Sequence, residues 1–173
     1  PLRTDSKDKL WKVLRKSGQD PMVKLQAAEA LARLGDERIL KKLLAYAGSG
    51  YADDRLIAIS GLEHLRNPQA YAMLTVLMDD PQLEVRLGAL RALAERATED
   101  DIKLARNSMN YVDDQGDETA TMRVRGLATL ALGRVGEDRD APLLYKAMNS
   151  KSAYIQITAA TGAIDFLRQR GQL

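Results

Sequence analysis

His64 is the only histidine in the chain. It follows Glu63 directly and lies one helical turn after Ser60. A hydroxyl, an imidazole and a carboxylate are the parts of a nucleophilic triad, and histidines with acids also hold metals. Neither chemistry is completed here, because no motif marks Ser60 as a nucleophile and no second histidine exists to share a metal. Four acids, Asp113, Asp114, Asp117 and Glu118, surround Gln115-Gly116. Their oxygens suit Ca²⁺, but their spacing lacks the alternating ligands and the closing Glu about a dozen positions on that a calcium loop requires. Cysteine is absent, which excludes thiolate chemistry and disulfides. The residues therefore assign no catalytic group, no metal ligand and no cofactor, and a non-enzymatic protein is expected.

A second set of residues suits recognition instead. Arg123, Leu127, Leu130 and Arg134 are spaced to share one side of a helix. Two leucines framed by two arginines, with Tyr154 close by in the chain's repeat order, have the composition of an interface centre. The matching positions elsewhere are mostly polar. They are Met22, Gln26, Glu29 and Arg33, then Asp53, Ile57, Ser60 and His64, then Glu84, Gly88, Arg91 and Glu95, and last Tyr154, Thr158, Thr161 and Asp165. This whole stripe is expected to point away from the core. The candidate partner-binding residues drawn from it are Ile57, His64, Arg91, Glu95, Arg123, Leu127, Leu130, Arg134 and Tyr154.

What must position these side chains is a repeat. Val23–Leu31 reappears as Asp54–Leu62, Val85–Leu93, Val124–Leu132 and Ile155–Ala163, at offsets of 31, 31, 39 and 31 residues. A period in this range marks a stacked-repeat architecture. Ala27, Ala58, Ala89, Ala128 and Ala159 form one column, and Ala30, Gly61, Ala92, Ala131 and Gly162 form another three positions on. Small residues one turn apart let a helix approach its neighbours closely. Leu31, Leu62, Leu93 and Leu132 fill the space beside them, followed by Leu34, Leu65, Val135 and Phe166. Arg96 breaks that last column.

Each copy is expected to be the second helix of a pair. The cap and break residues predict helices over Ser6–Ser17, Met22–Leu34, a third from Asp36 to about Ala47, Asp53–Leu65, a fifth from Asn67-Pro68, and Leu83–Arg96. Four more follow from Thr98 to about Asn110, then over Thr119–Val135, Asp140–Asn149 and Ala153–Gln169. No strand pattern appears. The eight extra residues behind the long offset form a loop through Tyr111–Glu118. The chain reads as a single all-α domain over residues 1–173, with repeats at about 6–35, 36–66, 67–97, 98–136 and 137–170.

Composition narrows the function classes further. The formal net charge of +2 is too small to draw nucleic acid by its field, and none is expected as a partner. No apolar run reaches the length of a membrane span, so direct membrane insertion is not expected. The compartment stays open between the cytoplasm and, if a leader was removed, the periplasm. The chain begins at Pro1 without a Met and is also open to being one segment of a longer array. A monomer is expected over an obligate oligomer.

The pattern V-[KR]-x-x-A-x-x-A-L-x-x-L-G-D, written in full by Val23–Asp36 and in part by the other copies, resembles HEAT repeats. It is most similar to the short bacterial subtype also found in phycobilisome-lyase-like proteins, over about residues 6–169. The resemblance implies a right-handed α-solenoid of about five helix pairs, with second helices on the concave side, used as a scaffold or adaptor that binds a protein or peptide. Lys24, Arg55, Arg86 and Arg125, with Gln156 closing the row, form a basic ladder. By type this is an anion track, but the resemblance implies that each basic group pairs with an acid of the preceding turn, here Asp20, Asp53 and Asp80. HEAT-like di-iron hydroxylases need several His-Glu pairs, and HEAT-like DNA glycosylases need a basic, aromatic-lined face. This sequence supplies neither. Trp11 is expected to pack at the N-terminal end.

Overall fold

The computed structural model describes the backbone of residues 2–173 and side chains from residue 5 onward. The described residues form ten α-helices joined by short turns, with no strand. The chain divides into two compact units, Pro1–Val85 and Arg86–Leu173. The first holds α1 (Leu2–Arg15), α2 (Pro21–Arg33), α3 (Leu40–Ala47), α4 (Ala52–Leu62) and α5 (Pro68–Leu77). The boundary falls within α6 (Leu83–Ala92). The second unit continues with α7 (Glu99–Ser108), α8 (Glu118–Val135), α9 (Ala141–Met148) and α10 (Ala153–Gln169).

The helix starts follow from local chemistry. Asp20 accepts from the Met22 and Val23 N–H groups, with Pro21 in the first turn where its missing N–H costs nothing. Asn67-Pro68 repeats the device for α5. Thr98 and Asp101 exchange hydrogen bonds as a capping box for α7. Gly35 ends the α2 region at φ 70, a left-handed conformation that favours glycine. One helix is shorter than expected. The predicted Leu83–Arg96 segment leaves α geometry after Ala92 and finishes as a 3-10 turn at Ala94–Arg96. Arg96 therefore departs from the apolar column: it is exposed on a turn, not carried on the core face of a helix.

The small-residue columns do what their spacing requires. All five column alanines are buried, and Leu31, Leu62, Leu93 and Leu132 are almost completely enclosed. In the first unit α2 packs on α1, α3 and α4, and α3 on α4 and α5. In the second, α8 packs on α7, α9 and α10, and α9 on α10. α8 and α10 approach each other closely enough to exclude a side chain. A Cβ on Gly133 would collide with the Gly162 backbone, and a Cβ on Gly162 with the Thr129 carbonyl. The two helices thus meet backbone to backbone.

Two buried acids tie first helices into the stack. Asp36, only 4% exposed, accepts from the Trp11 indole N–H at 2.9 Å and from the Arg38 guanidinium at 2.8 Å. Arg38 and Arg15 lie over the Trp11 ring, 5.3 and 5.5 Å from its centroid. The Arg38 hydrogen bonds outweigh the cost of burial and, with the Trp11 bond, hold the Asp36 carboxyl far below its ordinary value. Asp140, 1% exposed, is pushed up by burial, but Arg106 at 2.6 Å and the Glu137 N–H at 2.9 Å outweigh this and leave it lowered.

Two predictions follow from this packing. In urea denaturation, Gly133→Ala should lose about 2 kcal/mol, because overpacking against fixed backbone exceeds the gain in helix propensity. Gly61→Ala should cost clearly less, since its added Cβ crowds only the movable Leu43 methyl groups, at 2.9 Å, and meets the Glu29 backbone at an ordinary 3.5 Å. Equal losses would contradict the backbone contact. Asp36→Asn should destabilise by about 1–3 kcal/mol at neutral pH. A depressed folded pKa stabilises above the ordinary carboxylate value of 3.8 and loses that contribution as pH falls below it. The gap in melting temperature between wild type and Asp36→Asn should therefore stay constant from about pH 7 to about pH 5 and narrow as pH falls below 3.8.

Candidate functional site

The reactive-looking residues are engaged in ordinary structure. Ser60 Oγ donates to the Leu56 carbonyl within α4, which occupies its proton. His64 is exposed just beyond α4, and its Nε2 lies 3.6 Å from Glu63 Oε1, too long for an oriented hydrogen bond. Two acids of the loop before α8, Asp113 and Asp117, act as backbone acceptors. Asp113 takes the Gln115 and Asp117 N–H groups and the Tyr111 hydroxyl. Asp117 caps α8 through the Thr119 and Ala120 N–H groups.

The basic ladder has a structural logic that differs from the one expected. Arg55 Nη1 donates to the Ser49 carbonyl at 2.8 Å, and Gln156 Nε2 donates to the Ser150 carbonyl at 2.8 Å, each six residues back. Arg125 Nε donates to the Tyr111 carbonyl at 2.7 Å, fourteen residues back. Fourteen is six plus the eight inserted residues, so every one of these steps grips the same repeat-equivalent carbonyl. Asp20 is a cap, and Arg55 bonds Asp80, which precedes the next copy, through Nη2 to Oδ1 at 2.9 Å. Its Nε lies 2.8 Å from Asp80 Oδ2, out of line for a hydrogen bond. The Nε of Arg86, the next rung, is buried without an acceptor.

The expected outward stripe is only partly outward. In the first unit Ile57 is half-buried and His64 exposed. In the second unit Arg91, Arg123, Leu127 and Leu130 are half-buried, while Glu95 is exposed and Tyr154 is 44% exposed. Gly88 and Thr158 are buried, against expectation. The reason lies in how second helices stack. The Tyr154 ring sits over Gly126, where an added Cβ would meet it, and Asp165 lies 3.8 Å from Arg134 Nη1. Residues 154, 158, 162 and 165 of α10 therefore run along α8, with Thr158 and Gly162 buried there and Tyr154 left part exposed at the edge. Leu130 stands at this seam, its Cα 3.7 Å from the position a Gly162 Cβ would take. Arg134 and Glu95 also line a shallow cleft of about 390 Å³ with Ala94 and Gln169.

A different stripe carries the exposed apolar area. On α10, Ile157 is 68% exposed and Ile164 is 42% exposed, with Tyr154 and Thr161 between and beside them. These residues recur at helical spacing on one side of α10, next to its seam with α8. The signal was present in the sequence. By the repeat alignment, Ile157 and Ile164 hold the positions of Gly126 and Gly133, the α8 glycines against which α10 packs. Projecting one helix alone could not show that a face covered in one repeat lies uncovered in the next.

A family model described as HEAT repeats matches residues 40–122, from α3 into the first turn of α8. No curated protein gives a significant match to the chain. The family match names the repeat type and does not separate out the short bacterial subtype. Helices packed in order as pairs within each unit, small-residue columns on the second helices, and the matched stretch together show an all-α chain that carries HEAT repeats over residues 40–122.

Proposed function

We propose that this chain is a non-enzymatic binding module that takes a protein or peptide partner on the second-helix face of residues 86–173. HEAT repeats are commonly protein-interaction scaffolds, which supports this reading. The observation that carries the reading is the apolar stripe of Tyr154, Ile157 and Ile164 along α10, bordered by the half-buried Leu127 and Leu130 of α8. Exposed aliphatic and aromatic area on a rigid helix face, rimmed by guanidinium groups, is the usual composition of an interface centre. Arg134 is held near Asp165, so in this reading it frames the edge and Tyr154 anchors the middle.

A second reading is supported by the repeat alignment. The stripe is equivalent to the α8 face that receives α10, so it also suits one more helix pair of the same chain, as in a segment of a longer array. The reading frame beyond Leu173 decides this: further copies of the period would place the stripe inside a core.

The binding reading predicts that a photo-crosslinking side chain at Ile157 captures a protein in the native cell, and that Ile164→Asp abolishes the capture while leaving the helical circular dichroism unchanged. The same group at Val76, 66% exposed on α5, should capture nothing at that mass. Equal products from both positions, or none from Ile157, would reject the proposed face.

A further inference from the structure

Arg125 and Arg55 hold the same repeat position and grip the same repeat-equivalent carbonyl, yet their remaining nitrogens fare differently. Arg55 has a carboxylate at hand, Asp80, bonded at 2.9 Å. The repeat-equivalent of Asp80 beside Arg125 is Ser150, whose Oγ only accepts from the Ser152 N–H. Among the described residues, the terminal nitrogens of Arg125 make no hydrogen bond or ion pair.

A pocket of about 520 Å³ opens at this place, lined by both Arg125 and Ser150. Lys146, an exposed cation with no ion pair among the described residues, lines it too, as do Asn110 and Asn149. No carboxylate borders it. Met109, Leu143, Ala147 and Ile155 supply apolar wall. Two cations and two amides above an apolar floor match an oxyanion carried on a short hydrocarbon stem.

We propose that this pocket binds a carboxylate, the acidic side chain or terminal carboxylate of the protein partner, in the role that Asp80 plays for Arg55. The ligand's identity as part of a protein rests on the binding-module reading; the pocket's preference for a carboxylate does not. Unit 1 supplies the precedent, because the chain itself places an Asp against the equivalent Arg two repeats earlier. A planar guanidinium accepts a carboxylate through parallel N–H bonds, and Lys146 adds a point charge.

The test is a titration of the whole chain with glutarate, read on the Arg125 Nε–Hε NMR signal at constant ionic strength. Glutaramide serves as the neutral control and inorganic phosphate as the competing anion. Glutarate should give a saturable shift and glutaramide none. Ser150→Asp supplies the missing carboxylate from within and should weaken glutarate binding by about tenfold or more, the loss expected when one charge-assisted pair is pre-empted. Lys146→Glu, at an exposed position without partners, should do the same and stands in if Ser150→Asp does not fold. Glutarate binding within about twofold of wild type in a folded variant would overturn the proposal. So would phosphate binding about tenfold more tightly than glutarate. Ile164→Asp should leave the titration unchanged, so that loss of partner capture and loss of carboxylate binding report separately on the two readings.

Discussion

Backbone against backbone is the constraint on which the second unit depends. α8 and α10 touch where Gly133 faces Gly162, and a single added carbon at either glycine would meet main-chain atoms with nowhere to move. Main chain cannot step aside as a leucine methyl can, so this contact fixes the separation of the two helices before any side chain is considered. The rest follows from that separation. Thr158 becomes buried, Tyr154 lies down over Gly126, and Asp165 comes within reach of Arg134. Large leucines then fill the space at the flanks, where Leu132 is fully enclosed.

Charge serves the same end at the margins. The ladder cations look like a ligand track when read as residue types, but three of the five rungs hold a loop carbonyl to the helix that follows it. Asp36 and Asp140 hold first helices and turns in place by the same means, each buried and each supplied with a guanidinium and an N–H donor. A buried acid with full partners fixes geometry more than it adds stability. The pocket beside Arg125 is the place where such a network lacks its acid.

The fold was legible because it is written several times. Helix number, order and most boundaries could be read from the period, the small-residue columns and the Asp-Pro, Asn-Pro and Thr-cap starts. Arg96 was opaque because its column assumed a continuous α6, and the turn to 3-10 geometry has no sequence mark beyond that one exception. The candidate surface was legible only in part. Projecting each helix separately found Leu127, Leu130 and Tyr154 but placed Thr158 and Gly88 in solvent, since whether a flank is covered depends on the next helix. Ile157 and Ile164 were visible in the alignment once read against Gly126 and Gly133. The ladder's true partners were not legible, because a carbonyl leaves no trace in residue type.

The grip of Arg125 on the Tyr111 carbonyl makes the register of the helices independent of what lies between Tyr111 and α8. Eight residues have entered there while the bond spans the same repeat positions as those of Arg55 and Gln156. The turn behaves as a socket: Asp113 and Asp117 close its base, and the N–H groups of the guest residues Gln115 and Gly116 between them turn back onto Asp113. Lengthening such a guest costs only loop-closure entropy, about 0.6 kcal/mol for each doubling. An array built this way can acquire new loops one at a time without relearning how to fold.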